Sequence, residues 1–467
     1  MRRTTDEYMK IAFLIPDNRD EFGWYDRPEP VFGPAPDVLL RGFSELVQET
    51  GCEIHVVSCS RKPSKAPQKI YGGKIFYHQP LVSPLGYLKT LYFGCRRAVR
   101  STLRSIQPDI VHAQGTERYC AYAGARSGFP CVVTVHGNMR SIARLNQAKP
   151  LSFYGLTAKL EAWTLPRVAG VVCLSNYTRW NVEDLARRTW VIPNAVEERF
   201  FDVQPRRPEN LQLTCVGTIC HHKNQNALIR ALAPLREEFE FTLNLYGAAV
   251  PGTDYTEEFE SLLAQYPWVK AHGHVSREKL PEVYANSSLL VIPSLEDNCP
   301  MVVLEAMASG IPVLGSRVGG IPDLIHPEKN GWLYESGNVE EFRAMLRKAL
   351  SSSELLRILG EQAREFAQQT FMPKQVASQH LEVYNEVLSR KYKKFFLHVA
   401  KISSRILKVD DFRLQQKIVD IQDQYSFFVI MRCWRVGCND NFLEGITDLT
   451  QRSGFLFCFF LIGKQIG

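Results

Sequence analysis

Paired cysteines are missing from this chain. Its 12 cysteines are scattered over 467 residues with no Cys-x-x-Cys spacing, which argues against a disulfide framework or a zinc site and leaves buried free thiols. Long apolar runs are missing too. The longest, Phe455-Leu-Phe-Cys-Phe-Phe-Leu-Ile462, is far shorter than the roughly 20 residues that span a bilayer. The opening Met1-Arg-Arg-Thr-Thr-Asp-Glu lacks the apolar core of a signal peptide, so a cytoplasmic protein is expected. There is no internal repeat, low-complexity tract or nucleic-acid-binding module. What is present is an ordinary globular composition, 45% hydrophobic and 22% charged, with length for two domains.

The N-terminal half alternates strand-like and helix-like segments. Met9 to Ile15, Glu53 to Val57, Ile110 to His112, Cys131 to Val135 and Val171 to Leu174 are short apolar runs rich in branched residues, as expected of a parallel sheet with crossover helices. Gln204-Pro-Arg-Arg-Pro-Glu-Asn210 reads as a linker, after which the alternation resumes at Thr214 to Val216, Phe241 to Leu245 and Leu289 to Ile292. The predicted fold class is α/β, with two Rossmann-like domains facing each other across a cleft.

The most informative stretch is Ser294-Leu-Glu-Asp-Asn-Cys-Pro-Met-Val-Val-Leu-Glu305-Ala-Met-Ala-Ser-Gly310. It follows the strand Leu289-Leu-Val-Ile292 and opens a helix from Met301, so acids sit at a strand's carboxyl edge. Ligands bind at that edge in open α/β sheets, and the first unpaired N–H groups of the helix, those of Met301 and Val302, favour a phosphate. A carboxylate such as Glu305 accepts hydrogen bonds from two neighbouring sugar hydroxyls. The plain alternative is a solvated acidic loop before an ordinary helix.

This stretch resembles the acid-x7-acid signature of the retaining GT-B glycosyltransferases of the family 4 and group 1 type, and further signatures follow in order over roughly residues 9 to 390. Val216-Gly-Thr-Ile-Cys-His-His-Lys223-Asn-Gln resembles that family's glycine turn and phosphate-binding lysine. Val191-Ile-Pro-Asn194-Ala-Val is similar to its interdomain element. Pro108-Asp-Ile-Val-His112 and Val133-Thr-Val-His136-Gly137 resemble two strand ends of its first domain, and Gly319-Gly320-Ile-Pro-Asp323 its late glycine pair.

The resemblance implies an N-terminal acceptor-side domain over 9–200, with a helix at 373–390 crossing back to it. It also implies a nucleotide-sugar-binding domain over 209–372, and leaves a basic and apolar tail over 391–467 that the family lacks. It implies transfer of a hexose-type sugar from a UDP- or GDP-sugar to a saccharide or lipid-linked acceptor, with retention and without a metal. Lys223 would offset charge on the departing diphosphate. Asp297 or its neighbour Glu296 would touch the donor sugar, and Glu305 would hold the ribose. His136 would lie near the sugar, Gly33 would mark the first domain's glycine loop, and Gly217 would be a close-approach position. Thr218 stands where the family usually has an arginine, and His221, His222 or Arg317 are the available substitutes. His112 is expected to be structural, and Glu161 to lie on a solvated helix face.

The net charge is +7. Residues 389–408 carry seven cations and no acid, beside Tyr392, Phe395, Val399, Ile402 and Ile406 at helical spacing, the pattern of a helix lying on an anionic membrane. Arg96, Arg97, Arg100 and Arg104 form a second basic stripe; a solvated basic face is the alternative for both. Two other functions remain open on sequence grounds: a nucleotide-sugar 2-epimerase of the same fold, and a non-catalytic binding or scaffold protein.

Overall fold

The structure is a computed structural model that describes residues 9–407 apart from 207 and 209, with side chains to residue 390 except Lys89. Met9–Asn385 form one compact unit and the residues from Glu386 onward belong to another, together with Met1–Tyr8. Both sheets lie in the first unit.

The first sheet has eight strands: β1 (Lys10–Leu14), β2 (Glu53–Val57), β3 (Lys69–Ile70), β4 (Ile75–His78), β5 (Ile110–Gln114), β6 (Cys131–Val135), β7 (Gly170–Cys173) and β8 (Thr189–Val191). Their order is β3-β4-β2-β1-β5-β6-β7-β8. Only the β3–β4 pair is antiparallel. The second sheet contains β9 (Leu211–Val216), β10 (Phe241–Tyr246), β11 (Val269–Ala271), β12 (Leu289–Ile292), β13 (Val313–Ser316) and β14 (Gly331–Tyr334), in the order β11-β10-β9-β12-β13-β14. β5, β6, β7 and β12 are buried along their whole length, because helices cover both faces of a parallel sheet and leave no polar side to alternate. Strand order reverses between β1 and β5 in one sheet and between β9 and β12 in the other. At such switch points the flanking loops diverge and open a crevice.

The first part of the helix Pro373–Leu407 packs against the first sheet. Its Tyr384 hydroxyl lies 2.5 Å from Nδ1 of the fully buried His112 on β5, and its ring stacks on Phe43. A side chain on Gly42 would meet the Pro373 carbonyl oxygen at 2.1 Å, so the 34–50 helix can approach only through glycine. The division expected at 390–391 therefore falls inside one helix, which continues to Leu407. The membrane-surface reading of 389–408 concerns side chains that, beyond Arg390, lie outside the described residues. So does the tail beyond 407. No described helix is long and apolar enough to cross a membrane.

Candidate active site

The second domain's side of the crevice is built at the ends of β9 and β12. β9 ends at Val216, and the chain turns at Gly217 (φ +154°) into a short 3-10 turn, His221–Lys223. The stem of Lys223 then lies back over Gly217, its Cγ, Cδ and Cε 3.8 Å from where a Cβ would stand. This aims the ammonium across to the loop after β12, where Nζ lies 2.5 Å from Oδ2 of Asp297. That loop is joined to the lysine turn through the backbone, Leu295 N donating to His222 O at 2.8 Å. On its other side it is clasped by the late glycine pair. Gly320 N donates to Asp297 O, and a Cβ on Gly319 or Gly320 would stand 1.8 Å from the carbonyl oxygen of Asp297 or Asn298.

The helix Met301–Ala308 begins directly after this loop, with Pro300 as its cap and no side-chain cap bond. Val303 N already donates to Pro300 O, so the amides of Met301 and Val302 form the helix's exposed positive end. Glu305 lies one turn further along this helix and is buried. It is 2% exposed, with Tyr284 Oη donating to Oε2 at 3.3 Å and Arg277 Nη2 at 3.2 Å from Oε1. That Arg277 nitrogen makes no well-aligned hydrogen bond, so the contact is an ion pair rather than a directed bond. Burial raises the Glu305 carboxyl above its ordinary range, and the Arg277 charge opposes the shift. Arg277 also binds Glu197, Nε to Oε1 at 2.5 Å, tying Glu305 to the interdomain segment.

The two neighbouring acids are separated by the fold. Asp297 pairs with Lys223, whereas Glu296 accepts a 2.8 Å hydrogen bond from Tyr177 on the other domain. Burial, with Glu296 beside it, pushes the Tyr177 hydroxyl up to about 12. Asn298, next in line, is the residue that sequence reasoning passed over. Its Nδ2 donates to the His136 carbonyl oxygen at 2.7 Å, and its Oδ1 accepts from Ser175 Oγ at 2.7 Å and from Thr178 Oγ1. Asp323 receives Asn176 N at 2.5 Å. The acidic loop is thus laced to the start of helix Asn176–Val182 and to the end of β6, which makes the two carboxyl edges one site.

On the first domain's side, His136 follows β6. Its Nε2 donates to Gln114 Oε1 at 2.8 Å, and Gln114 in turn lies 3.2 Å from His112. Burial lowers the His136 pKa, with the nearby Glu117 charge opposing. A neutral imidazole is therefore held in a fixed tautomer beside the crevice. His112 is fully buried between Tyr384 and Thr134, which agrees with a structural role.

One expectation changes. Glu161 is not on a solvated face: it is 1% exposed and accepts from Thr116 Oγ1, Met139 N and Arg140 N at 2.6–3.2 Å. It anchors the start of helix Met139–Leu145, and burial raises its pKa against those hydrogen bonds. Gly33 caps the helix Pro34–Thr50, but a Cβ there would meet only Pro36 Cδ at 3.8 Å, so the protein's own packing does not require glycine. Thr218 is exposed, while Arg317 is paired with Glu335 at 2.6 Å. His221 and His222 remain exposed beside Lys223.

A cavity of about 380 Å3 opens beyond the ends of β10 and β11, lined by Tyr246, His272, His274, Val275, Ser276 and Lys279. Tyr246 and His272 stack at 4.4 Å. Its size and aromatic wall suit a planar ring. Gly247, whose Cβ would lie 1.9 Å from the Gly217 carbonyl oxygen, brings this cavity's loop against the lysine turn. Gly217 stood out through its resemblance to the family's glycine turn, and Gly247, just past the strand expected at Phe241 to Leu245, carried no such match.

Two parallel-sheet domains meeting at their carboxyl edges, with a lysine, an acid and a helix start between them, define a GT-B glycosyltransferase. Residues 38–200 match Glycosyltransferase Family 4 and residues 196–366 match Glycosyl transferases group 1. The chain belongs to this group of GT-B glycosyltransferases. It is 27% identical over 299 residues to the MMP alpha-(1->4)-mannosyltransferase of Mycolicibacterium hassiacum, covering 60% of this chain and 71% of that protein. Sulfoquinovosyl transferase SQD2 of Arabidopsis thaliana is 26% identical over 364 residues, 71% of this chain and 68% of that protein. Sucrose-phosphate synthase from Thermosynechococcus elongatus shares the fold at 20% identity with a TM-score of 0.66, over 82% of this chain and 100% of that one. Anabaena HepE, solved in complex with UDP, shares it at 18% identity with a TM-score of 0.60, over 81% of this chain and 100% of that one.

Proposed function

We propose that this glycosyltransferase moves a hexose-type sugar from a nucleotide diphosphate sugar to a saccharide or lipid-linked acceptor, with retention, in polysaccharide or glycolipid synthesis. The observation that carries the reading is the convergence of Lys223 and Asp297 at 2.5 Å beside the start of helix Met301–Ala308. As the bond from the sugar's anomeric carbon to the diphosphate oxygen breaks, negative charge grows on the diphosphate. The Lys223 ammonium has two further donors for it, and the Met301 and Val302 amides add the helix's positive end. That supply of positive charge needs no metal.

Asp297 or its neighbour Glu296 contacts the donor sugar; the first is paired with Lys223 and the second with Tyr177. Glu305 takes the ribose, the cavity beyond β10 and β11 takes the base, and His136 faces the sugar from the other domain. The acceptor oxygen bonds to the anomeric carbon on the face the diphosphate leaves, and its proton passes to the departing phosphate oxygen. The nine described free cysteines, eight of them buried, are what a reducing cytoplasm permits. The relatives named above, a mannosyltransferase and a sulfoquinovosyl transferase, support the reaction class. Product NMR is the test: the anomeric proton coupling should report the donor's own configuration, and inversion would overturn the retaining mechanism.

A further inference from the structure

Most exposed large hydrophobic side chains of the described residues lie on the loops and helices that follow strands of the first sheet. Phe22 and Trp24 follow β1; Leu81, Leu85, Leu91 and Phe93 follow β4; Leu145, Leu151, Phe153 and Tyr154 follow β6. A single exposed leucine needs no explanation, but a patch of this kind does. The second group is a built surface rather than a frayed loop. Gly86 and Gly94 are packed so closely that a Cβ on either would meet the other's backbone within 3 Å, and Val82 N donates to Ser60 O at 2.9 Å. The carboxyl edge also holds it: Tyr87 Oη donates to Asp20 Oδ2 at 3.3 Å, and Arg61 Nε to the same oxygen at 3.0 Å. The apolar loop after β4 is thereby fastened to the loop after β1, at the rim of the first domain's crevice.

The helix that leaves this apolar loop, Phe93–Ile106, buries Cys95, Val99, Leu103 and Ile106 against the sheet. Its remaining surface carries Arg96, Arg97, Arg100 and Arg104 and no acid. None of the four arginines is ion-paired with an acid among the described residues; Arg96 instead lies over the Phe93 ring at 4.9 Å. Apolar side chains projecting at one end of a helix with unpaired cations along its flank match a lipid interface, where the first enter the acyl boundary and the second meet anionic headgroups.

We propose that the first domain docks on an anionic lipid bilayer through Leu81, Leu85, Leu91 and Phe93 and the arginines of helix Phe93–Ile106. Docking there sets the rim of the acceptor side against the membrane, where a lipid-linked acceptor would present its sugar to His136. The surface is separate from the basic stretch at 389–408 and does not depend on it.

The test is sedimentation of the full-length protein with vesicles of phosphatidylcholine alone and of phosphatidylcholine with phosphatidylglycerol. The wild type should bind the anionic vesicles and bind neutral ones much more weakly, and the double variant Arg97→Glu, Arg100→Glu should bind anionic vesicles about tenfold or more weakly. Leu85→Ser with Phe93→Ser should weaken binding as well, and both exposed pairs should leave the melting temperature unchanged. Equal binding of wild type to neutral and anionic vesicles would overturn the proposal. So would undiminished binding by the arginine variant, which would assign the attraction to another segment, or self-association in place of vesicle binding. The assay needs no turnover, so its failure leaves the transferase reading standing.

Discussion

Replacing Lys223 with alanine should lower the rate of sugar transfer by about 10²- to 10³-fold, the usual cost of removing one preorganised partner of a developing anion, while the protein stays folded. Lys223 is about one-third exposed and its ion pair with Asp297 is partly solvated, so its loss costs the fold about 1 kcal/mol or less. The charge it offsets exists chiefly in the transition state. The expected signature is therefore a collapse of kcat, with a smaller rise in the donor KM. Lys223→Arg should recover part of the rate, because a cation remains but its planar fork does not reproduce a point charge over Gly217. Steady-state kinetics with a matched melting curve decides the matter. Undiminished turnover in the alanine variant would remove Lys223 from the mechanism, and would favour a protein that binds nucleotide sugar without this chemistry.

Glu305→Ala should be the more damaging change for stability. Its carboxylate is almost fully buried beside Arg277 and Tyr284, and removing one member of a buried pair leaves the other charge short of a partner, at about 3 kcal/mol. Arg277 keeps Glu197, which holds the loss at the lower end of the usual range. Glu305→Gln keeps the shape and separates the two roles. It keeps an acceptor for Tyr284 but not the charge facing Arg277, so it should lose less stability than the alanine variant while binding nucleotide about tenfold or more weakly, since a hydrogen bond to a charged group is replaced by one to a neutral amide. Denaturant unfolding and nucleotide titration of the two variants provide the check. An alanine variant as stable as wild type would mean that Glu305 is not held by Arg277 in the way the structure shows.

How much of this was legible before the structure depends on how local each feature is. The helix from Met301 was legible because strand, loop and helix follow one another within a few residues; Lys223 and Asp297 stood out only through the resemblance to the glycosyltransferase signatures. β2, β6 and β12 were legible as short branched apolar runs. The two- and three-residue strands β3, β8 and β11 were not, since they carry too few residues to show a period. Glu161 was misread because the groups that receive it, Thr116 and the amides of Met139 and Arg140, come from loops after β5 and β6 that no spacing brings near it. Asn298 lay in full view between better-known neighbours. Its role exists only once the other domain supplies Ser175, Thr178 and the His136 carbonyl. The helix from Pro373 runs past the expected boundary because no proline or glycine occurs between Lys374 and Leu407, a signal that was available.

The most direct measurement of the central claim is the unfolding midpoint of the full-length protein with UDP, GDP or ADP, each with and without EDTA. A ligand that binds only the folded state stabilises it by about 2.7 kcal/mol at a hundred times its Kd. The arrangement of Lys223, Glu305 and the cavity at Tyr246 predicts a clear rise with one nucleotide, unchanged by EDTA and much reduced in the Lys223→Ala variant. No rise with any of the three would contradict a nucleotide-sugar site at this edge, and a rise abolished by EDTA would contradict a site that works without a metal.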